Sequence, residues 1–397
     1  MRNPEKSGEL RITHVITRLI VGGAQENTVA SVLGLHQKPD LDVDLISGPT
    51  TGSEGSLEPL LQSQPELLRV LPNLVREVHP WKDAAALIEL TRAFRKEKPH
   101  IVHTHSSKAG VLGRIAAHRA GVPVVIHTIH GPSFGAFQGR LANTCFLTAE
   151  RFAGKRTTHF VSVANAMTEQ YLKAGIGKAG QYSRVFSGFH LEPFLTAEND
   201  LEFRRALGIE GSDIVAGKIA RLFELKGHDD LIDAAPDLLK ANPSLKFLFV
   251  GGGPWEQRLK DKVRTLGVEN RFVFTGLVPP TAVPRFVGVM DFLVHLSRRE
   301  GLARALPQAL AARKPVVAYD CDGAREVCQP AETGFLVQPG DQDELRKRIL
   351  ELAGDAETRT RLGSAGRRLV EKNFSTQRMV DDLHHLYLRL ADEHALV

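Results

Sequence analysis

The amino-acid sequence predicts an α/β protein made of two doubly wound, Rossmann-like domains. Short β-branched runs alternate with helix-length amphipathic segments along most of the 397 residues, which is the signature of βαβ units. The alternation stops at Ser187-Gly188, crosses a polar stretch around 191–212 and starts again. The length also suits two domains, each able to bury its own core.

In the first half, strands are expected near 10–16, 42–47, 100–105, 122–128, 158–163 and 182–186, with helices near 24–36, 82–97, 108–119, 141–154 and 164–174. In the second half, strands are expected near 213–220, 245–251, 271–274, 291–294 and 315–319, with helices between them. This sets an N-terminal domain at 1–190 and a C-terminal domain at 191–375. A last helix, about 376–392, follows the second sheet and is expected to pack back on the first domain. Ligands of doubly wound sheets bind outside the strand C-termini, so a cleft between the domains is the expected site.

Composition excludes several classes. With 42% hydrophobic and 24% charged residues the chain is neither disordered nor low-complexity. Three cysteines without a CxxC pair do not form a disulfide framework. The absence of a membrane-length apolar run, and of an apolar stretch in the opening MRNPEKSGELRITH, leads to an expectation of a cytoplasmic protein. The net charge of +5 is uneven, since residues 101–190 hold 10 basic and only 2 acidic side chains. That stretch, with Lys108, Arg114, Arg140, Arg151, Lys155 and Arg156, is expected to draw phosphates or an anionic membrane face, and is equally consistent with a solvated basic surface. It lacks the aromatic interleaving or groove-binding helix of a nucleic-acid binder.

The residues that could carry chemistry lie at strand ends. Gly22 and Gly23 form a glycine turn after the first strand, where a ligand could approach the backbone, although the G-x-G-x-x-G dinucleotide fingerprint is missing. Arg221 and Lys226 follow the first strand of the second domain, a bidentate guanidinium and a point charge suited to a diphosphate. Glu300 stands at a turn before a helix expected to begin near Gly301, so the amides of Gly301, Leu302 and Ala303 would face an anion while Glu300 accepts sugar hydroxyls. Glu326 is expected toward the same cleft, and Asp320 and Asp322 read as solvated or capping acids before a metal pair. His103 and His105 share one face of a strand, with Lys108 next, and no third ligand at zinc spacing follows. His130, before Gly131, reads as a cleft-lining histidine or as a satisfied loop residue.

Taken together, VITRLIVGGAQ (15–25), HTHSSKAGVLGR (103–114), HTIHG (127–131), SGFHLEPF (187–194), ARLFELKGHDDLI (220–232), FVGGGP (249–254), FVFTGLV (272–278), EGLARALPQAL (300–310) and ETGFLVQPGD (332–341) resemble the family-4 retaining glycosyltransferases of the GT-B fold over nearly the whole chain. The resemblance implies transfer of a sugar from a nucleotide-sugar, a UDP-sugar being the commoner donor, with no obligatory metal or other cofactor. It implies that Arg221 and Lys226 hold the diphosphate, that Glu300 and the amides of Gly301, Leu302 and Ala303 position the sugar, and that Glu326 lies by sugar or phosphate. It also implies that His130 and Gly23 face the reacting centre and that the loop carrying Val278 holds the base. Lys108 and His105 are carried as acceptor-side residues. The family's second glutamate, which binds the ribose, is replaced here by Gln308, so ribose affinity is in question. That departure keeps open a nucleotide-sugar sensor or inactive partner subunit, and behind it another GT-B-like enzyme such as an epimerase or a phosphorylase. Acceptor identity is expected in loops 48–60 and 129–145.

Overall fold

The computed structural model describes residues 9–51, 55–135 and 137–396. Residues 52–54 and 136, which belong to the two loops expected to read the acceptor, lie outside the described residues, as does most of the opening segment, residues 1–8. The chain divides into two compact units, one formed by 1–189 together with 376–397, the other by 190–375.

The first unit holds a seven-stranded, wholly parallel sheet. Its strands are β1 (Leu10–Ile16), β2 (Leu41–Ser47), β3 (Leu68–Val70), β4 (Ile101–His105), β5 (Val124–Ile129), β6 (His159–Ser162) and β7 (Tyr182–Arg184), in spatial order β3-β2-β1-β4-β5-β6-β7. The second unit holds six parallel strands, β8 (Ile214–Ile219), β9 (Leu245–Val250), β10 (Phe272–Phe274), β11 (Phe292–His295), β12 (Val316–Tyr319) and β13 (Gly334–Val337), in order β10-β9-β8-β11-β12-β13. In both sheets the order reverses at the first strand, and every residue of the apolar-rich strands β5 and β9 is buried, as a helix-covered parallel sheet requires. All eleven strands expected from the alternation are present to within two residues. Two were not anticipated, β3 and β13: each is a short edge strand with no apolar run long enough to announce it.

Helix Thr376–Glu393 belongs to the first unit by packing as well as by clustering. It buries Met379, Val380, Leu383, Leu386, Tyr387 and Leu390 in the core beneath β1 and β2, a spacing of three and four residues that makes one apolar stripe. Polar contacts pin its N-terminal half: Lys38 pairs with Asp381 at 2.7 Å and His384 with Asp40 at 2.7 Å. No helix among the described residues is long and apolar enough to cross a membrane.

Candidate functional site

In the second unit the site forms where β8 and β11 end. After β8 the chain turns through Arg221 to Gly227, and helix His228–Ala241 begins. Gly227 has φ +64°, and a Cβ there would come within 2.1 Å of the Leu296 carbonyl oxygen, so only glycine lets this turn press against the end of β11. The close approach brings Lys226 onto Glu300, and the two side chains form an ion pair. Ser297 Oγ donates to the same Glu300 oxygen at 3.0 Å, and Asp322 accepts from the Glu300 backbone amide at 2.7 Å, so one carboxylate oxygen and the backbone of this residue are both held. Asp320 is occupied by Arg325 and by Gln338, so both acids of the Asp320-x-Asp322 pair act within the protein.

The helix expected at Gly301 begins later, at Ala305 with Arg304 as its cap. Gly301, Leu302 and Ala303 form an irregular, buried segment instead, and their amides donate to no partner among the described residues. Arg221 is exposed, stacks its guanidinium over Phe223 at 4.9 Å, and makes no side-chain hydrogen bond among the described residues. Its carbonyl accepts from His228 Nε2 at 3.0 Å, which ties the turn to the helix that follows. An open guanidinium, an ammonium held by one carboxylate and three amides without a partner among the described residues are the kinds of donor that bind anions. Gln308 lies half-buried on helix Ala305–Ala311, Glu326 half-buried in the turn Asp322–Glu326, and Val278 half-buried after β10. Gly251 and Gly276, which exchange an isolated backbone pairing, join that last loop to the end of β9.

Beneath the ion pair lie polar groups that sequence reasoning did not single out. Lys218, on β8, is buried and its ammonium has no hydrogen-bond partner; loss of hydration lowers its pKa from 10.5 to about 7, with Lys226 adding repulsion. His295, at the end of β11, is buried with both ring nitrogens unpartnered, Nε2 lying 4.0 Å from Glu300, and desolvation keeps it neutral. A lysine inside the apolar run IVAGKIA was a readable signal for the first. For His295 nothing but the tertiary contact marks it.

The first unit presents a different arrangement. Parallel register sets His14 of β1 beside His103 of β4, and the two-residue alternation puts His105 on the same face, with Thr128 of β5 opposite it. The ring nitrogens of His14, His103 and His105 approach within 4.8 Å of one another and are engaged with each other and with Tyr387, Thr128 and His130. Burial holds all of these rings neutral: His14 is lowered to about 3, His130 to about 4, and His103 and His105 well below their ordinary value. His105 is therefore enclosed, and reaches the strand end only through half-buried His130. Lys108 pairs with Asp83 and donates to the Glu77 carbonyl. Gly22 caps helix Gly23–His36, and Gly23 is its exposed first residue.

One sequence expectation is corrected here. Arg114, counted in the basic surface, is fully buried; its Nε donates to the Gly110 carbonyl at 2.7 Å and its Nη2 to Glu150 at 2.6 Å, because helices Ser107–Ala120 and Arg140–Gly154 face each other across it. The basic surface that remains is carried by Arg140, Arg151 and Lys155, exposed beside the exposed Leu141 and Phe152.

Comparison with known proteins then decides the family. Residues 22–183 match the glycosyl transferase 4-like domain and residues 199–369 the glycosyl transferases group 1 domain. The chain is a GT-B glycosyltransferase of the family-4 type. It is 28% identical over 388 residues to the UDP-Gal:alpha-D-GlcNAc-diphosphoundecaprenol alpha-1,3-galactosyltransferase of Escherichia coli, covering 96% of this chain and 97% of that protein. It is 26% identical to the capsular polysaccharide biosynthesis glycosyltransferase CapM of Staphylococcus aureus, over 88% of this chain and 90% of that one. Among solved structures, Anabaena Alr3699/HepE in complex with UDP superposes with a TM-score of 0.79 at 21% identity, covering 95% and 99% of the two chains, a likeness of fold.

Within this glycosyltransferase the structure brings Lys226, Glu300, Gly301, Leu302 and Ala303 together and leaves Arg221 open beside them. It adds Lys218, Ser297 and His295 to that group, and joins His130 and His105 to His14, His103 and Tyr387 in the other unit. Tyr387 was unreachable from sequence, since it stands 257 positions after His130 on a helix whose register only packing sets.

Proposed function

We propose that the chain is a retaining glycosyltransferase that moves a sugar from a nucleotide-sugar, a UDP-sugar first among them, to a glycan, lipid-linked or small-molecule acceptor in cell-surface polysaccharide or glycolipid synthesis. The observation that carries the reading is the paired Lys226 and Glu300 beside open Arg221 and the free amides of 301–303. On donor binding, Lys226 leaves the carboxylate for the diphosphate, and Glu300 is released to accept hydroxyl hydrogen bonds from the sugar. Separation of an oxocarbenium-like sugar from a diphosphate is the costly step, and cations on the leaving group lower it most. The bond from C1 to the phosphate oxygen breaks, the departing oxygen takes the acceptor hydroxyl's proton, and the acceptor oxygen bonds to C1 on the same face. Two cations supply the charge that a metal would otherwise bring, so turnover is expected to persist in EDTA.

The activity named for the Escherichia coli relative, a galactose transfer from UDP-galactose to a diphosphoundecaprenol-linked sugar, supports both the UDP donor and a lipid-linked acceptor for this chain. Exposed Leu141 and Phe152 among Arg140, Arg151 and Lys155 suit peripheral docking at the anionic inner face of a membrane, with each surface cation contributing about 1 kcal/mol.

The test is a thermal-shift panel of UDP-, GDP- and ADP-sugars followed by product analysis. A base-dependent rise in melting temperature is expected, together with a product of the donor's own anomeric configuration. An inverted product, or turnover lost in EDTA and restored by magnesium or manganese, overturns the mechanism. Binding without any transfer favours the sensor reading instead.

A further inference from the structure

Five hydrogen bonds run without interruption through the interior of the first unit. Thr128 Oγ1 meets His103 Nε2 at 2.6 Å, His103 Nδ1 meets the Tyr387 hydroxyl at 2.5 Å, and that hydroxyl meets His14 Nε2 at 3.3 Å. His14 Nδ1 then meets His105 Nε2 at 2.9 Å, and His105 Nδ1 meets His130 Nε2 at 3.1 Å. Every member except His130 is buried, and none of these side chains makes another hydrogen bond among the described residues.

The direction of such a chain is all or nothing. A neutral imidazole has one N–H and one bare nitrogen, and the tyrosine hydroxyl has one hydrogen, so a donor at one end forces the direction of every bond to the other end. Thr128 decides which direction holds. If its oxygen only accepted from His103, its own hydrogen would be left without an acceptor in a buried place, which folded proteins avoid. Thr128 therefore donates to His103 Nε2, His103 Nδ1–H donates to Tyr387, Tyr387 donates to His14 Nε2, His14 Nδ1–H donates to His105 Nε2, and His105 Nδ1–H donates to His130 Nε2.

We propose that this relay locks His130 as its Nδ1–H tautomer, so that at the C-terminal edge of the first sheet it offers a substrate a neutral N–H donor and not a base. Its partner would be an oxygen lone pair, from a sugar hydroxyl or a phosphoryl group. Tyr387 is then a positioning residue: from the helix that returns to the first unit it carries the direction set at Thr128 across from His103 to His14, and so to His130. The tautomer rests on the geometry of this unit alone, and only the identity of the oxygen rests on sugar transfer.

The experiment is long-range ¹H–¹⁵N correlation of the histidine rings in the full chain, labelled at histidine and free of ligand at neutral pH. A single Nδ1–H tautomer is expected for His14, His103, His105 and His130. Tyr387→Phe, nearly the same shape, severs the relay, so His14, His105 and His130 should lose their single tautomer while His103 keeps its own. Thr128→Val should loosen all four. An Nε2–H His130 in the wild-type chain overturns the proposal, as does an unchanged His130 spectrum in folded Tyr387→Phe. With a UDP-sugar, His130→Asn, whose amide lies near the Nδ1 position, should retain more turnover than His130→Gln, whose amide lies near Nε2. Lack of UDP binding would remove the sugar-transfer reading and leave the tautomer result standing.

Discussion

Each unit has an ion pair that its fold treats in its own way, Arg114–Glu150 in the first and Lys226–Glu300 in the second, and the two treatments are opposite. Arg114 and Glu150 are sealed in the first unit, 0% and 2% exposed, with Ser133 donating to the second carboxylate oxygen at 3.0 Å. Lys226 and Glu300 in the second unit keep 18% and 29% of their side-chain surface open, and the buried Lys218 and His295 behind them are unpartnered. A sealed pair is structural because neither charge has anywhere else to go, even though Arg114 Nη1 finds no partner among the described residues. A half-open pair above unsatisfied groups can exchange partners, which a site for a charged ligand requires.

The sharpest way to break this contrast is to remove one side of the sealed pair. Arg114→Met leaves Glu150 as an uncompensated buried charge and should cost about 3–5 kcal/mol in denaturant unfolding. A loss under about 1 kcal/mol would mean that the pair is not sealed. In the second unit the cost should fall on turnover: Arg221→Ala and Lys226→Ala each should lower it by about two to three orders of magnitude, the effect of deleting an electrostatic donor, with the fold retained. Near-normal turnover in either variant removes that cation from the phosphate clamp.

Lys218 sharpens the comparison through pH. Its folded pKa of about 7 lies below its ordinary 10.5, so between those values the unfolded chain binds the extra proton and stability rises with pH. Lys218→Met should flatten that rise and stabilise the chain at pH 7 by about 1–3 kcal/mol, the scale of a buried unsatisfied polar group. Identical pH profiles for the two proteins would show that the amine is paired. The smallest effect concerns Gln308, which keeps the reach of glutamate and loses its charge. Gln308→Glu should tighten donor binding by about 1 kcal/mol, the difference between a neutral and a charge-assisted hydrogen bond, and should change turnover little. Calorimetry with UDP checks it, and weaker binding in the variant would show that position 308 does not meet the ribose.

Much of this was legible in one dimension. Strand periodicity, the glycine turns and the restart after Ser187-Gly188 are local properties, and they sufficed for eleven strands and for the doubly wound class. Arg221, Lys226 and Glu300 stood out as candidates because ligands of such sheets gather at strand ends, and the structure pairs the last two. The start of the helix after Glu300 was misread, since Gly301 to Ala303 are held irregular by their surroundings, including the Gly323 amide on the Gly301 carbonyl at 3.0 Å. Arg114 was misread because a basic side chain reads as surface until the helix bearing its carboxylate is placed.

The sequence by itself determined the βα alternation, the two-domain plan and the residue types at the strand ends, because these depend on spacing within a few residues. Only the tertiary structure decided which groups became partners. Strand register joined His14 to His103, the packing of helix Thr376–Glu393 inserted Tyr387 between them, and the Gly227 turn set Lys226 on Glu300. Hydrogen bonds act over about 3 Å whatever the distance along the chain, so contacts between residues hundreds of positions apart exist only once the sheets and helices have been assembled.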